Sequence, residues 1–395
     1  MYKIGIDIRP LETSTKDRGI GHYTANILAH SLKKADPKFN FTLYKTLTGK
    51  LSRTFPKSKQ TVFYGIPTIF RPRRKIRKFD PLISPFWHHA LRKNQPDLLH
   101  LTSFFEVYYL SIPENIKTIV TLHDLIPVLF SQQCFENKLA EDWYWGRLEQ
   151  LKKCSRIITI SKSAKEDIIK TLQVPKEKVE VIYGGVDNKF CKFSKDEAKK
   201  LLAKKYRIHN DYLLSVGAFS YHKNISTIFQ AFRDYLKIYR EKPLNLVVVC
   251  KLIPSEKKIW SEEIKKLGIE DKVHLTNFIP DQDISAFYSA ARALLFPSLY
   301  EGFGLPILEA MLCQTPVITS RISSMPEVGG KSAYYVNPVN IQEIVLGINQ
   351  VLTNEKLCQK MVKEGLEQVK KFTWQEAGQR TINVYKSVLS NKAGQ

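Results

Sequence analysis

No two of the six cysteines stand close enough to form a C-x-x-C pair; they fall at positions 134, 154, 191, 250, 313 and 358. That spacing leaves no metal or redox motif. A chain of 395 residues can bury a core without a disulfide framework. A reducing, cytoplasmic setting is therefore expected. No apolar run approaches the length of a bilayer span. The first residues, Met1 to Ile8, include Asp7 within their short apolar stretch, so they are read as a strand and not a leader. No short-period repeat is present. A composition of 43% hydrophobic and 25% charged residues excludes a disordered, collagenous or low-complexity chain. Acidic residues are the scarce class: 38 Asp+Glu stand against 61 Lys+Arg, for a formal net charge of +23. Such a chain expects anionic partners, whether nucleic acid, an acidic membrane surface or phosphorylated substrates.

What the chain has is alternation. Short apolar runs at 3–8, 40–46, 61–64, 97–101, 117–121, 155–160 and 179–183 read as buried parallel strands, with helical patterns at 21–35, 137–153 and 162–171 between them. A Lys-rich stretch follows at 187–210. The alternation then restarts with strands at 212–216, 244–250, 272–276, 293–296 and 316–319 and helices at 224–239, 256–267, 282–291 and 306–313. Helices at 341–352, 355–370 and 374–391 close the chain. The expected fold class is α/β, two doubly wound Rossmann-like domains in series. The boundaries read as 1–190, a linker at 191–211, 212–372, and a last segment at 373–395. Open α/β sheets bind ligands beyond the carboxyl ends of their strands, so a cleft between the two domains is the default site.

The strongest local signal runs from Phe296 through Pro297, Ser298, Leu299, Tyr300, Glu301, Gly302, Phe303, Gly304, Leu305 and Pro306 to Glu309. It follows a buried strand and opens a helix. Pro306 suits a first helical turn. Gly302 and Gly304 let backbone N–H groups approach a ligand, and the helix N-terminus favours a phosphate. Glu301 and Glu309 can each accept hydrogen bonds from paired sugar hydroxyls. The plain alternative is a capped helix after a tight loop, with both carboxylates solvated.

This segment resembles the E-x7-E motif of the retaining glycosyltransferases of family 4, which have the two-domain GT-B fold. Asp7-Ile8-Arg9-Pro10, Gly19-Ile20-Gly21-His22-Tyr23-Thr24, His123-Asp124-Leu125-Ile126-Pro127, Gly184-Gly185-Val186-Asp187, His222-Lys223-Asn224 and Pro316-Val317-Ile318-Thr319 match in order along the chain. Within the family the likeness is greatest to bacterial O-antigen and exopolysaccharide transferases, many of them mannosyltransferases. The resemblance implies a first domain that binds the acceptor and a second that binds the nucleotide sugar. It also implies a last helix, 373–395, crossing back to the first domain. Glu301 would hold donor sugar hydroxyls near the reacting carbon, and Glu309 would bind the ribose. The backbone at Gly302, Phe303, Gly304 and Leu305 would meet sugar and phosphate. Lys223 would pair with the diphosphate, a cation beside the leaving group. His123, at a strand's carboxyl end, would lie near the reacting centre. Gly19 and Gly21 would line the site.

One departure concerns the diphosphate clamp. Many relatives place an Arg five residues before the Lys, where this chain has Ala218; others place it directly before, where this chain has His222. The clamp then rests on Lys223, helped by His222 if it is protonated. Asp281-Gln282-Asp283 spells D-x-D, but Asp281 as an N-cap with Asp283 in the first turn explains it without a metal. Ser161 and Ser163 read first as helix-capping residues. No metal and no cofactor are expected, only a nucleotide-sugar co-substrate, best guessed as GDP-mannose.

The segment 71–93 carries eight cations and one Asp. Arg73, Arg74, Lys75, Arg77 and Lys78 are interleaved with apolar residues up to Trp87. Cations with exposed aromatics suit an anionic membrane surface, where a polyprenyl-diphosphate-linked acceptor would be met. The alternative is a solvated basic face over a buried aromatic cluster. No nucleic-acid module is recognisable. The expected activity is retaining, metal-independent hexosyl transfer to a glycan or lipid-linked oligosaccharide in surface polysaccharide synthesis, by a protein peripheral on the inner face of the cytoplasmic membrane. The rivals are a UDP-sugar-dependent transferase, a nucleotide-sugar epimerase of the same fold, and an inactive basic binding protein.

Overall fold

The computed structural model describes residues 1–12, 19–34, 36–46, 61–66, 80–104, 115–187, 190, 193–239 and 243–390. The chain forms two compact units, Met1–Gly185 with Trp374–Gln395, and Val186–Thr373.

The first unit is built on a parallel seven-stranded sheet: Tyr2–Asp7 (β1), Phe39–Thr46 (β2), Thr61–Ile66 (β3), Leu98–Leu101 (β4), Lys117–Thr121 (β5), Arg156–Thr159 (β6) and Val179–Val181 (β7). Its order is β3-β2-β1-β4-β5-β6-β7. The second unit holds a parallel six-stranded sheet: Asp211–Val216 (β8), Leu244–Val249 (β9), Val273–Thr276 (β10), Ala293–Phe296 (β11), Val317–Ser320 (β12) and Ala333–Val336 (β13). Its order is β10-β9-β8-β11-β12-β13. Both sheets are doubly wound, reversing direction between the first and fourth strands, at β1/β4 and at β8/β11.

The central strands read as continuous apolar runs because both faces are covered. All residues of β4, β9, β11 and β12 are buried. The helix Ile225–Ile238 shows the matching pattern, burying Ile225, Ile228, Phe229, Phe232 and Tyr235 at three- and four-residue spacing against Leu246, Val248 and Leu295.

The last helix, Trp374–Ser390, belongs to the first unit. It packs on the helix Gly19–Lys33 at very close range: a Cβ on Gly378 would lie 2.7 Å from the His30 carbonyl carbon. Arg380 pairs with Glu180 at 2.8 Å, and Lys117 Nζ donates to the Val388 carbonyl at 2.9 Å.

The structure departs from the sequence reading in three places. Residues 191–211, read as a linker, contain the helix Lys195–Tyr206, which belongs to the second unit. It is stopped and started by local chemistry: a capping box at Ser194 and Glu197 opens it, and Arg207 in the left-handed region closes it. Residues 80–94, read as part of a basic segment, form a helix. The strand β13 was not anticipated, because Ala333–Val336 is short and only half-buried over three of its four residues.

Candidate active site

The topological switch of the second sheet brings two distant loops together. β8 ends at Val216 and leads to a short 3-10 turn at Tyr221–Lys223; β11 ends at Phe296 and leads to Glu301. There Lys223 Nζ donates to both carboxylate oxygens of Glu301, at 2.7 and 2.9 Å. Ser298 Oγ donates to Glu301 Oε1 at 2.7 Å. The ammonium also stands 5.1 Å from the centre of the Phe296 ring. Glu301 is 7% exposed, so a charge-assisted pair sits at a nearly closed position.

The Glu301 main chain is fixed as firmly as its carboxylate. Ser323 Oγ accepts from Glu301 N at 2.9 Å and donates to Glu301 O at 2.9 Å. Ser324 Oγ is 2.8 Å from Glu301 O and 2.7 Å from Phe303 O. Asn224, left-handed at φ 59°, spans the Pro297 and Pro338 carbonyls with its amide. Sequence reasoning missed Ser323 and Ser324 because they lie 22 and 23 residues beyond Glu301, after β12. Ser298 stands inside the motif, three residues before Glu301, and could have been found there.

Gly304 caps the helix Leu305–Leu312 with φ 108°, a conformation that favours glycine. Gly302 is buried, and the Phe303 ring turns into the unit against Phe372, with centroids 5.7 Å apart. Glu309, half-buried on that helix, accepts from the Tyr288 hydroxyl at 2.7 Å. Tyr288 is a partner that the sequence did not reveal.

His222 hydrogen-bonds through Nδ1 to Ser220 Oγ at 3.0 Å. Burial, aided by the charge of Lys223 and opposed by that of Glu301, pushes its pKa down to about 4. Burial therefore favours the neutral imidazole before any anion is bound. Asp283, not Asp281, is the N-cap of the helix Ile284–Ala290, and its side chain makes no capping bond. Its carboxylate is taken instead by Lys205 and by the Tyr206 hydroxyl, which donates at 2.6 Å. No group of three or more His, Cys, Asp or Glu side chains suited to a metal occurs among the described residues.

In the first unit, Gly19 opens the helix Gly19–Lys33, and Gly21 is buried in its first turn. His123 follows β5 and is 2% exposed. Burial pushes its pKa down to about 3, and among the described residues neither ring nitrogen has a hydrogen-bond partner. Nearby, His100 bonds to the Tyr385 hydroxyl and to Thr121 Oγ1, at 2.7 and 2.8 Å. Its pKa is also about 3, through burial first and the charge of His123 second. Ser161 caps the helix Lys162–Leu172 through Ala164 N, as expected.

Arg73, Arg74, Lys75, Arg77 and Lys78 lie outside the described residues. Trp87 does not fit the surface role given to it: it is 1% exposed. Its ring meets Tyr44 at 5.2 Å and lies under the Arg9 guanidinium at 4.5 Å. Arg9 is in turn held by Asp7 through two bonds of 2.8 Å. Trp87 is therefore core, whereas Phe86 beside it is exposed. No helix among the described residues is long and apolar enough to cross a membrane.

An open cavity of about 630 Å³ lies two strands from the switch, at the carboxyl ends of β9 and β10. Lys251, Lys257, Lys258 and Phe278 line it without any carboxylate. It does not coincide with the Lys223–Glu301 pair. The buried ion pair, the helix N-terminus and the switch point carry the assignment, because they bring together groups able to meet a sugar phosphate.

The two buried imidazoles of the first unit set its acid limit. Both titrate in the folded unit at about 3, against about 6.5 in an unfolded chain. The unfolded chain therefore binds more protons below pH 6.5. Stability is complete above that pH and is lost as the pH falls toward 3. The two together should cost about 3 kcal/mol between pH 6.5 and 5, roughly 10 °C in melting temperature. Calorimetry at pH 7, 6 and 5 checks this; a flat midpoint would reject the buried neutral state of both.

Residues 28–190 match the family Glycosyltransferase Family 4, and residues 194–368 match Glycosyl transferases group 1. The chain is 30% identical over 303 residues to the O-antigen chain mannosyltransferase B of Escherichia coli, covering 75% of this chain and 76% of that one. It is 29% identical over 311 residues to the serotype-specific mannosyltransferase WbdA of Escherichia coli, covering 76% of this chain. It spans only 38% of that protein's length. Its backbone superposes on the sucrose-phosphate synthase of Thermosynechococcus elongatus with a TM-score of 0.78, at 18% identity, over 99% of this chain and 100% of that one.

Proposed function

Because the chain belongs to glycosyltransferase family 4 and has the GT-B fold, we propose that it transfers mannose from GDP-mannose to a glycan acceptor in surface polysaccharide synthesis. The observation that carries this reading is the Lys223–Glu301 pair at the switch point. Two mannosyltransferases among its relatives support the choice of sugar.

In this reading Lys223 and Glu301 are each other's counter-ions until the donor arrives. The diphosphate takes the ammonium, and the sugar hydroxyls take the carboxylate. The N-terminal turn of the helix Leu305–Leu312 adds its N–H groups and partial positive charge to the leaving phosphate. Glu309 holds the ribose. Glu301 keeps a full negative charge beside a sugar carbon that becomes cationic as the bond to phosphate breaks. His123, buried and with its pKa lowered, shapes the reacting centre close to the donor sugar.

The reaction retains the anomeric configuration and needs neither metal nor cofactor. Asp283 of the D-x-D sequence is already committed to Lys205 and Tyr206. A nucleotide-sugar donor and a lipid-linked acceptor place the work at the cytoplasmic face of a membrane, with the enzyme peripheral on it.

A thermal-shift panel of GDP, UDP, GDP-mannose, UDP-glucose and UDP-N-acetylglucosamine tests the donor. A ligand at 100 times its Kd stabilises the folded state by about 2.7 kcal/mol. A shift confined to GDP and GDP-mannose is expected. A shift confined to the UDP compounds would remove mannose from the assignment, and no shift at all would favour a binding protein with a dead site.

A further inference from the structure

Nothing polar orients the side chain of His123. Among the described residues neither ring nitrogen has a hydrogen-bond partner, while its main-chain oxygen accepts from Thr159 Oγ1 at 3.5 Å. The terminal torsion of a histidine is broad and shallow, so packing must hold the ring. Tyr23 supplies that packing edge-on, with centroids 5.3 Å apart and planes at 79°.

Tyr23 is itself held from two sides. Its hydroxyl donates to the Ile182 carbonyl at 2.8 Å. Its ring meets Trp374 at 6.0 Å and 68°. The tyrosine is 4% exposed, and burial pushes its hydroxyl pKa well up, so it remains a neutral donor. Trp374 is the residue at which the chain re-enters the first unit, directly after Thr373.

We propose that Tyr23 is a positioning residue for transfer: clamped between the Ile182 carbonyl and Trp374, its ring sets the orientation of the His123 imidazole. The proposal rests on the reading of His123 as a reacting-centre group and adds to it the residue that aims it. It also gives the chain junction at Trp374 a route to that imidazole through a single ring.

The test compares Tyr23→Phe, Tyr23→Leu and Trp374→Phe, with His123→Gln to assign the His123 signal. Transfer from GDP-mannose to octyl α-mannoside is measured beside the 13Cε1 histidine NMR spectrum of the full chain. Tyr23→Phe keeps the ring but loses the bond to the Ile182 carbonyl and should lower kcat by about threefold, whereas Tyr23→Leu should lower it about tenfold or more at unchanged donor KM. The His123 resonance should shift or broaden most in Tyr23→Leu and by less in Tyr23→Phe, which keeps the ring.

Trp374→Phe loosens the clamp without emptying the space beside His123. It should move the same resonance and lower kcat by about threefold, and it keeps the test open if Tyr23→Leu fails to fold. Wild-type kcat in Tyr23→Leu would overturn the proposal. So would a low kcat with the His123 resonance unmoved, or a Trp374→Phe spectrum identical to wild type. Full activity in His123→Gln would instead strike the reading of His123 itself.

Discussion

Glu301→Gln is expected to lower kcat by about 10²–10³-fold while nucleoside diphosphate affinity rises by about tenfold. The side chain keeps its size, and its carbonyl oxygen can still accept from Ser298. What is lost is the negative charge beside the reacting sugar. That charge matters most in the transition state, where the sugar carbon is cationic, so the loss should fall on kcat. The rise in diphosphate affinity follows from the geometry of the ion pair. Lys223 gives two hydrogen bonds to the Glu301 carboxylate. A diphosphate must displace that carboxylate before it can use the ammonium; an amide competes far less.

Removing one member of a shielded ion pair carries a stability cost, here about 3 kcal/mol, so the second unit should melt earlier yet remain folded at room temperature. Transfer kinetics, calorimetric titration with GDP and a melting curve read the three effects separately. Transfer within tenfold of wild type would remove Glu301 from its role, and unchanged diphosphate affinity would reject the displacement.

Lys223→Met has the complementary outcome. Methionine keeps the unbranched stem beside the Phe296 ring and removes the charge. Binding of nucleoside diphosphate should weaken by about a hundredfold, or about 2.7 kcal/mol. Position 218 is Ala, and burial pushes the His222 pKa down to about 4, so neither is a ready substitute for the ammonium. The variant also leaves the Glu301 carboxylate facing the incoming phosphates without its counter-ion. Calorimetric titration with GDP checks it. Binding within threefold of wild type would show that the helix N-terminus carries the diphosphate by itself.

Much of this protein was legible in its residues because parallel strands covered on both faces have few alternatives. Leu244–Val249 and Ala293–Phe296 are apolar at nearly every position, and the 3.6-residue spacing of Ile225, Ile228, Phe229 and Phe232 admits only a helix facing that sheet. The helix Lys195–Tyr206 escaped notice because Lys dominates it. Only Ala198 and Leu202 of its residues are buried, too few to show a period. Trp87 was misjudged for the opposite reason. An indole among cations looks like a surface anchor, and only the fold sets it between Tyr44 and the Asp7–Arg9 pair.

The sequence by itself determined the α/β class, the order of the elements, the family, and the presence of Glu301, Lys223 and His123 beyond strand ends and of Glu309 on the helix that follows Glu301. These depend on residue type and on spacing within about ten positions. Tertiary structure alone decided that Lys223 and Glu301, 78 residues apart, neutralise one another, and that Ser323 and Ser324 hold the Glu301 backbone. It also decided that burial lowers the pKa of His222 and of His123 and that Tyr23 lies between His123 and Trp374. Each of those depends on what burial brings within a few ångströms, and burial is a property of the packed sheet and its covering helices, not of any local run of residues.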